Sequence, residues 1–416
     1  MSWLEIFIIL TLTTLLGLAN LKLHKDITAP SVLLCMLWLF VEVFSFISAP
    51  DYFFSFNALL WIQIFLVVFS SGASLMRSSL IEKKESAPDL KWFLYLQFIA
   101  LASAPLAILS MIRDSGMKFP TNSIDFLELT QRLTEGRYSG EHLSMITMGF
   151  LTLSYIGCLN GGLLLVKSTE LKNKMIGVLI LPFLLGFTIV YTARATFLFG
   201  LLLFLSTFLM SLAEKNNINL ILVKFKNLKW LLISSFLIVL IFMSTQILRS
   251  GDGSLESSKL QAVTHHLRVW FSGNLSGFSY WYELSTPNRT HNGSMSLAGL
   301  TELLGKDYRK PGIYQVAYDA SGKQEWTNIF TIFRYLMDDL GSFGTLIFLF
   351  VMGWISSKLY NLIKSGRWLA IGLLSGIMTV ILFSFVTSAI AYNTVLFAWI
   401  GYCLFLSTQV PVDAKS

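Results

Sequence analysis

The sequence predicts an all-α polytopic membrane protein that crosses the bilayer about eleven times and carries one large non-cytoplasmic loop. Three observations predict it. Hydrophobic residues make up 54% of the chain and charged residues only 13%, whereas a soluble domain carries about a quarter charged residues. The apolar residues fall in long blocks, which burial in one globular core does not explain. Basic residues, finally, alternate between heavily and sparsely charged connections in one unbroken phase.

A helix needs about 20 apolar residues to cross the hydrocarbon core. Blocks of that length lie near 3–21, 29–49, 53–76, 91–112, 142–166, 175–192, 194–213, 229–248, 334–358, 368–387 and 390–409. The first has neither a basic leading region nor a small-residue cleavage site, so it reads as a membrane helix and not as a signal peptide. One alternate set of connections holds Lys22 and Lys25, then Arg77, Lys83, Lys84 and Lys91, then Lys167, Lys172 and Lys174. It continues with Lys215, Lys224, Lys226 and Lys229, then Lys358, Lys364 and Arg367, and ends with Lys415. The opposite short connections hold one basic residue, Arg194. By the positive-inside rule the N-terminus and residues 250–328 lie outside and the C-terminus in the cytoplasm. The expected organisation is therefore helices over 1–249, the large loop over 250–328 and the last helices over 329–416.

The same bias accounts for the net charge of +7, so nucleic acid is not the expected partner. The cysteines, Cys35, Cys158 and Cys403, all sit in apolar blocks, which leaves the large loop without a disulfide framework and the chain without zinc-ligand spacing. Within 113–141, apolar Ile124, Leu127, Leu129 and Leu133 recur among charged residues and predict an amphipathic helix near the membrane surface. Residues 250–328 are rich in Gly, Ser, Trp and Tyr. Pro287 and Pro311, with Gly251, Gly253, Gly293 and Gly312, divide them into short helix-length pieces. A segment of this length is functional or disordered, and its aromatic content argues against disorder.

The residues that carry chemistry are mostly arginines. Arg194 sits in a tight turn, Tyr191 to Thr196, against the charge bias. Two readings are open to it: a side chain reaching to lipid headgroups, or a fixed guanidinium whose planar fork grips a phosphate. Arg249, Arg268, Arg289, Arg309 and Arg334, with His265, His266 and His291, cluster in and around the large loop and point to an anion site. Asp252, Glu256, Glu283, Glu302, Asp307, Asp319 and Glu325 partly offset them. Arg334 and Asp338 lie four apart on one helical face, which suits either a local ion pair or a clamp. Glu42, inside the second span, is either a functional carboxyl or a hydrogen-bonding partner of a neighbouring helix.

Three features together resemble a known family. They are the arginine in the Tyr191–Phe197 turn; the aromatic stretch from Arg268-Val269-Trp270-Phe271-Ser272-Gly273-Asn274 to Tyr280-Trp281; and the exit Thr327-Asn328-Ile329-Phe330-Thr331 followed by Asp339-Leu340-Gly341 and Gly344. The segment from Asn292-Gly293-Ser294 to Gly305-Lys306 adds to the likeness. The family is the Wzy-type polymerases of bacterial O-antigen, enterobacterial common antigen and capsule repeat units. The match covers the second half of the chain in motif and the first half in hydropathy alone.

The resemblance implies a GT-C-like membrane glycosyltransferase in the bacterial inner membrane, with the large loop in the periplasm. Such an enzyme transfers a growing glycan from undecaprenyl pyrophosphate to the next lipid-linked repeat unit, without a metal or cofactor, alongside a chain-length regulator protein and membrane lipid. It further implies that Arg194 and Arg334 grip the pyrophosphate, with Arg268 or Arg249 as a third cation, and that Arg289, Glu283 and Trp281 line the glycan path. The base for the acceptor hydroxyl would be His291, with Glu283 and Asp339 in reserve. Two other classes share parts of this pattern: an O-antigen ligase, with the same plan and a lipid A core acceptor, and a lipid-linked oligosaccharide flippase. A flippase predicts short loops, internal repeats and more charges in the spans.

Overall fold

The computed structural model describes residues 1–75, 88–139, 143–214, 257–284, 293–305, 317–322 and 325–409. Its helices are α1 (Trp3–His24), α2 (Pro30–Ser48), α3 (Phe56–Ser74), α4 (Leu90–Asp114), α5 (Ser123–Ser139), α6 (Met145–Lys167), α7 (Leu171–Val178), α8 (Ile180–Tyr191), α9 (Arg194–Glu214), α10 (Ser257–Leu284), α11 (Ala298–Leu303), α12 (Ile332–Lys364), α13 (Trp368–Phe383) and α14 (Asn393–Thr408). A two-stranded antiparallel hairpin, β1 (Tyr318–Asp319) with β2 (Trp326–Thr327), precedes α12. Among the described residues eight helical stretches are long and apolar enough to cross a membrane, Leu171–Tyr191 being one stretch made of α7 and α8. Large apolar side chains stand exposed along them, including Phe7, Phe40, Ile47, Phe98 and Phe343. In water that surface is a liability; against lipid tails it is the expected exterior. The expected span 229–248 lies outside the described residues.

The helices of the last two expected spans are shorter than a crossing. α13 and α14 have 16 residues each, about 24 Å at 1.5 Å per residue. Between them the chain unwinds because its polar groups serve other partners. The Ser384 carbonyl accepts the Ile332 N–H at 2.7 Å, its hydroxyl accepts the Trp38 indole N–H at 3.1 Å, and the Ser388 hydroxyl donates to the Ser296 carbonyl at 3.0 Å. The large loop also departs from the short pieces expected of it: α10 runs unbroken for 28 residues. No proline falls inside it, since the nearest, Pro287, lies past its end.

The chain divides into two compact units. The first comprises Met1–Glu82, Thr264–Leu362 and Ile377–Asn393; the second comprises Lys83–Val263, Ile363–Gly376 and Thr394–Ser416. Both cut across the three sequence segments, because α10 and α12 pack with the first three helices.

In the first unit, α1, α2 and α3 are joined by polar groups within the apolar layer. Glu42 is fully buried; it accepts from the Thr13 hydroxyl at 2.6 Å and from the Gln63 amide at 2.7 Å. Asn20 donates to Ser70 at 2.9 Å. A buried carboxyl without such partners would be costly in lipid, so the hydrogen-bonding reading of Glu42 describes its surroundings. α3 crosses α12 at Gly72 and Gly353, where a Cβ on either would collide with the carbonyl of Phe350 or Phe69. Small residues let membrane helices approach this closely. Phe333, near the start of α12, stacks between Trp38 and Phe65 at 5.1 and 4.8 Å, which fixes the head of α12 against α2 and α3.

The second unit is built around α6, which packs on α4, α7 and α9. Asn160 of α6 donates to Gln97 and to the Phe93 carbonyl of α4, both at 2.8 Å. The amphipathic helix expected within 113–141 is α5, whose Leu129 and Thr130 are fully buried while Ile124 is exposed.

Candidate functional site

Arg334 sits in the first turn of α12 and is buried, 6% exposed. Its Nε lies 3.4 Å from Asp338 Oδ2, one turn further on, so the expected shared face is real. Its guanidinium lies 3.8 Å from the Phe330 ring centre and 5.5 Å from that of Trp281 in α10. Aromatic faces attract a cation, more strongly when water is excluded. A second aromatic row continues outward from Phe330: Tyr318 packs edge-on at 5.9 Å, Tyr280 stacks on Tyr318 at 5.8 Å with planes 9° apart, and Phe53 meets Tyr280 at 4.4 Å. Tyr280 and Tyr318 are half-buried and Phe53 is exposed, so this row offers ring faces at the surface.

The exit motif builds the frame for Arg334. Thr327 is buried, its hydroxyl accepts the Ile329 N–H at 3.2 Å, and it packs where a Cβ on Gly273 would stand 2.9 Å from its Oγ1. Asp339 accepts the backbone N–H groups of Met295 at 2.9 Å and Ser296 at 2.6 Å. It therefore ties the segment after residue 292 to α12. Gly341 has φ 68° and ψ 174° and interrupts the helix two residues after this carboxylate. That conformation is essentially open to glycine alone, which explains a glycine at this place in the motif.

Arg268 and Glu283 lie at other places on α10. The Arg268 guanidinium pairs with Asp51 and with Glu325 at 3.4 Å and stacks over the Tyr52 ring at 4.7 Å. His265 Nε2 lies 2.8 Å from the same Glu325 carboxylate. Burial, reinforced by Glu325, pushes the Tyr52 phenol above its ordinary range. Arg268 is some 20 Å along the helix from Trp281, so its group is a separate, internally paired cluster. Glu283 is exposed and accepts from the Ser55 hydroxyl. Of the other expected site residues, Arg249, Arg289 and His291 lie outside the described residues. The roles of Asp51, His265 and Glu325 as one cluster were not visible in the sequence, because the three are far apart along the chain.

In the second unit, α8 ends at Tyr191 with Thr192 in the left-handed region, φ 53°. α9 begins two residues later at Arg194, which is 6% exposed. The Tyr155 hydroxyl donates to the Thr196 carbonyl at 3.0 Å and fixes the first turn of α9 on α6. The expected tight turn is present, and its arginine is packed within the protein.

No protein-family model matches this chain, and comparison with curated proteins and with solved structures likewise returns no match.

Proposed function

We propose that the chain is a lipid-linked glycan polymerase of the outer face of the bacterial inner membrane, GT-C-like in plan. It would transfer a growing oligosaccharide from undecaprenyl pyrophosphate to the next lipid-linked repeat unit. The observation that carries this reading is Arg334, a buried guanidinium ringed by Phe330 and Trp281, framed by the residues of the Thr327–Gly344 motif. A pyrophosphate leaving group develops negative charge as the anomeric C–O bond breaks, and a preorganised cation favours that transition state without a metal ion. The acceptor hydroxyl oxygen forms the new bond to the anomeric carbon and gives its proton to a base, while the leaving pyrophosphate keeps the bond's electron pair.

The resemblance also implies a role for Arg194, at the N-terminus of α9, where backbone N–H groups favour an anion. The half-buried rings of Tyr280 and Tyr318 suit a sugar chain. Because Asp339 already holds two backbone N–H groups, it acts best as the anchor of the Met295–Ser296 segment. His291 and Glu283 then remain as bases. Deletion of the gene tests the reading: surface glycan should be reduced to single repeat units, seen as loss of the ladder on a gel. Loss of all surface glycan would instead favour a ligase or a flippase.

A further inference from the structure

We propose that Glu42, Thr13 and Gln63 form a proton-binding site within the apolar layer, in which Glu42 is a neutral carboxylic acid that closes a hydrogen-bonded ring. The three side chains come from α2, α1 and α3 and are at most 5% exposed. Thr13 Oγ lies 2.6 Å from Glu42 Oε2 and 2.9 Å from Gln63 Oε1, and Gln63 Nε2 lies 2.7 Å from Glu42 Oε1.

The hydrogens available to this ring point to the extra proton. Three contacts close it, and each needs one hydrogen. A threonine hydroxyl brings one, and a glutamine amide donates only from its nitrogen. In one amide orientation Gln63 donates to Glu42, and Thr13 must serve Glu42 and Gln63 with a single hydrogen. In the other orientation Gln63 donates to Thr13 and Thr13 to Glu42, which sets the amide oxygen against a carboxylate oxygen. Either way one contact lacks a hydrogen. A proton on Glu42 supplies it in both cases, since Glu42 then donates to Thr13 in the first arrangement and to Gln63 in the second. The Ile9 carbonyl, 3.1 Å from Thr13 Oγ, is one more acceptor and adds no hydrogen.

The surroundings favour the neutral form as well. Among the described residues Glu42 makes no ion pair. α3 has no ionisable side chain, the other one of α2 is Cys35, and those of α1, Glu5, Lys22 and His24, stand near its ends. α10 and α12 also touch α2, but Arg268 pairs with Asp51 and Glu325, and Arg334 with Asp338. The outer face of α1 is apolar and exposed at Leu12 and Leu15, next to Thr13, so an ionised carboxylate would stand without a counter-charge close to lipid, which is costly. Two helical turns away the same helices bring together Asn20, Cys35 and Ser70. There Asn20 donates to Ser70 at 2.9 Å and to the Leu16 carbonyl at 3.0 Å, with hydrogens it already carries. Only the Glu42 layer takes up a proton. Its loss would break one contact of the ring and place a charge between three helices, so the site ties the packing of α1 to its protonation.

The test compares the full-length protein in detergent at neutral pH with Glu42→Gln and Gln63→Leu, by infrared difference spectroscopy and by melting temperature. Subtracting the Glu42→Gln spectrum from the wild type should leave a carboxylic-acid carbonyl band. Gln63→Leu should move that band to higher frequency, because the acid loses a hydrogen-bond partner. A glutamine at position 42 completes the ring with its own amide hydrogen. Glu42→Gln should therefore melt at the wild-type temperature, whereas Gln63→Leu should melt several degrees lower. Carboxylate bands in the Glu42→Gln difference, with or without sodium in the buffer, overturn the proposal. So does an acid band that Gln63→Leu leaves in place, or a Glu42→Gln protein that melts as low as Gln63→Leu. If Glu42→Gln does not fold, the difference between wild type and Gln63→Leu decides: a displaced acid band supports the site and its absence overturns it. No readout here depends on polymer formation, so the outcome is separate from that of the polymerase reading.

Discussion

Arg334 and Arg268 show how one residue type serves two ends. Arg334 is enclosed by rings with Asp338 beside it, whereas Arg268 is paired to two carboxylates, Asp51 and Glu325. If the polymerase reading holds, Arg334→Ala and Arg194→Ala should each lower polymer formation about 10²–10³-fold, the loss expected when a donor to developing charge is removed. The protein should still insert at normal level. Lysine at either position should recover little, since an ammonium has no planar fork. Arg268→Ala should act differently: it leaves Asp51 and Glu325 facing each other and costs about 1–3 kcal/mol of stability, read as a lower melting temperature with polymer length unchanged in the surviving protein. A normal ladder in both Arg194→Ala and Arg334→Ala would remove both arginines from the proposed pyrophosphate chemistry. The Arg334–Asp338 pair was legible in the sequence because four residues make one turn. The partners of Arg268 were not, since Asp51 lies 217 residues away and Glu325 lies 57 away. No local pattern carries that pairing, so Arg268 read as one more cation of an anion site.

Among the elements, α12 is the one whose geometry the motif controls. It enters beside Trp38 and Phe65, carries Arg334 and Asp339, breaks at Gly341 and only then becomes an apolar membrane helix. Apolar periodicity predicted a helix from 334 onward and missed the break, because a break at a single glycine leaves the surrounding hydropathy unchanged. The shortened α13 and α14 were hidden for a similar reason. Their unwound junction is still largely apolar, and its hydroxyls and carbonyls are drawn off by distant groups such as Trp38, Ser296 and Ile332. Gly341→Ala should cost about 1–3 kcal/mol, the penalty of holding a side chain in that backbone region. Because the break comes two residues after Asp339, the substitution should also displace the Met295–Ser296 segment and lower polymer formation more than its stability cost explains. Melting temperature and ladder length measured on the same variant decide this. A variant with wild-type values in both would show that α12 does not need the break.

At the scale of the whole molecule, the positive-inside rule predicts an orientation from the charges. Exposed apolar side chains along the spanning helices say that the chain meets lipid, but they are the same seen from either side. The basic residues break that symmetry: Lys167, Lys172 and Lys174 fall between α6 and α7, while the connection after α8 holds only Arg194, which is packed inside. The polymerase reading depends on this sign, because the glycan-bearing carriers it uses are presented on the outer leaflet and Arg334 must lie towards that side. Replacing Cys35, Cys158 and Cys403 with serine, then placing one cysteine at a time at the exposed Thr121, Asn328 or Lys172, allows a direct test with a membrane-impermeant maleimide on intact spheroplasts. Thr121→Cys and Asn328→Cys should label at once, and Lys172→Cys only after permeabilisation. The reverse pattern would put Arg334 on the cytoplasmic face, where catalysis would have to use nucleotide-activated sugars, and the polymerase reading would fall with the orientation. Immediate labelling at all three positions would mean that the number of crossings between Thr121 and Lys172 is even, and the charge alternation would then have misplaced α6.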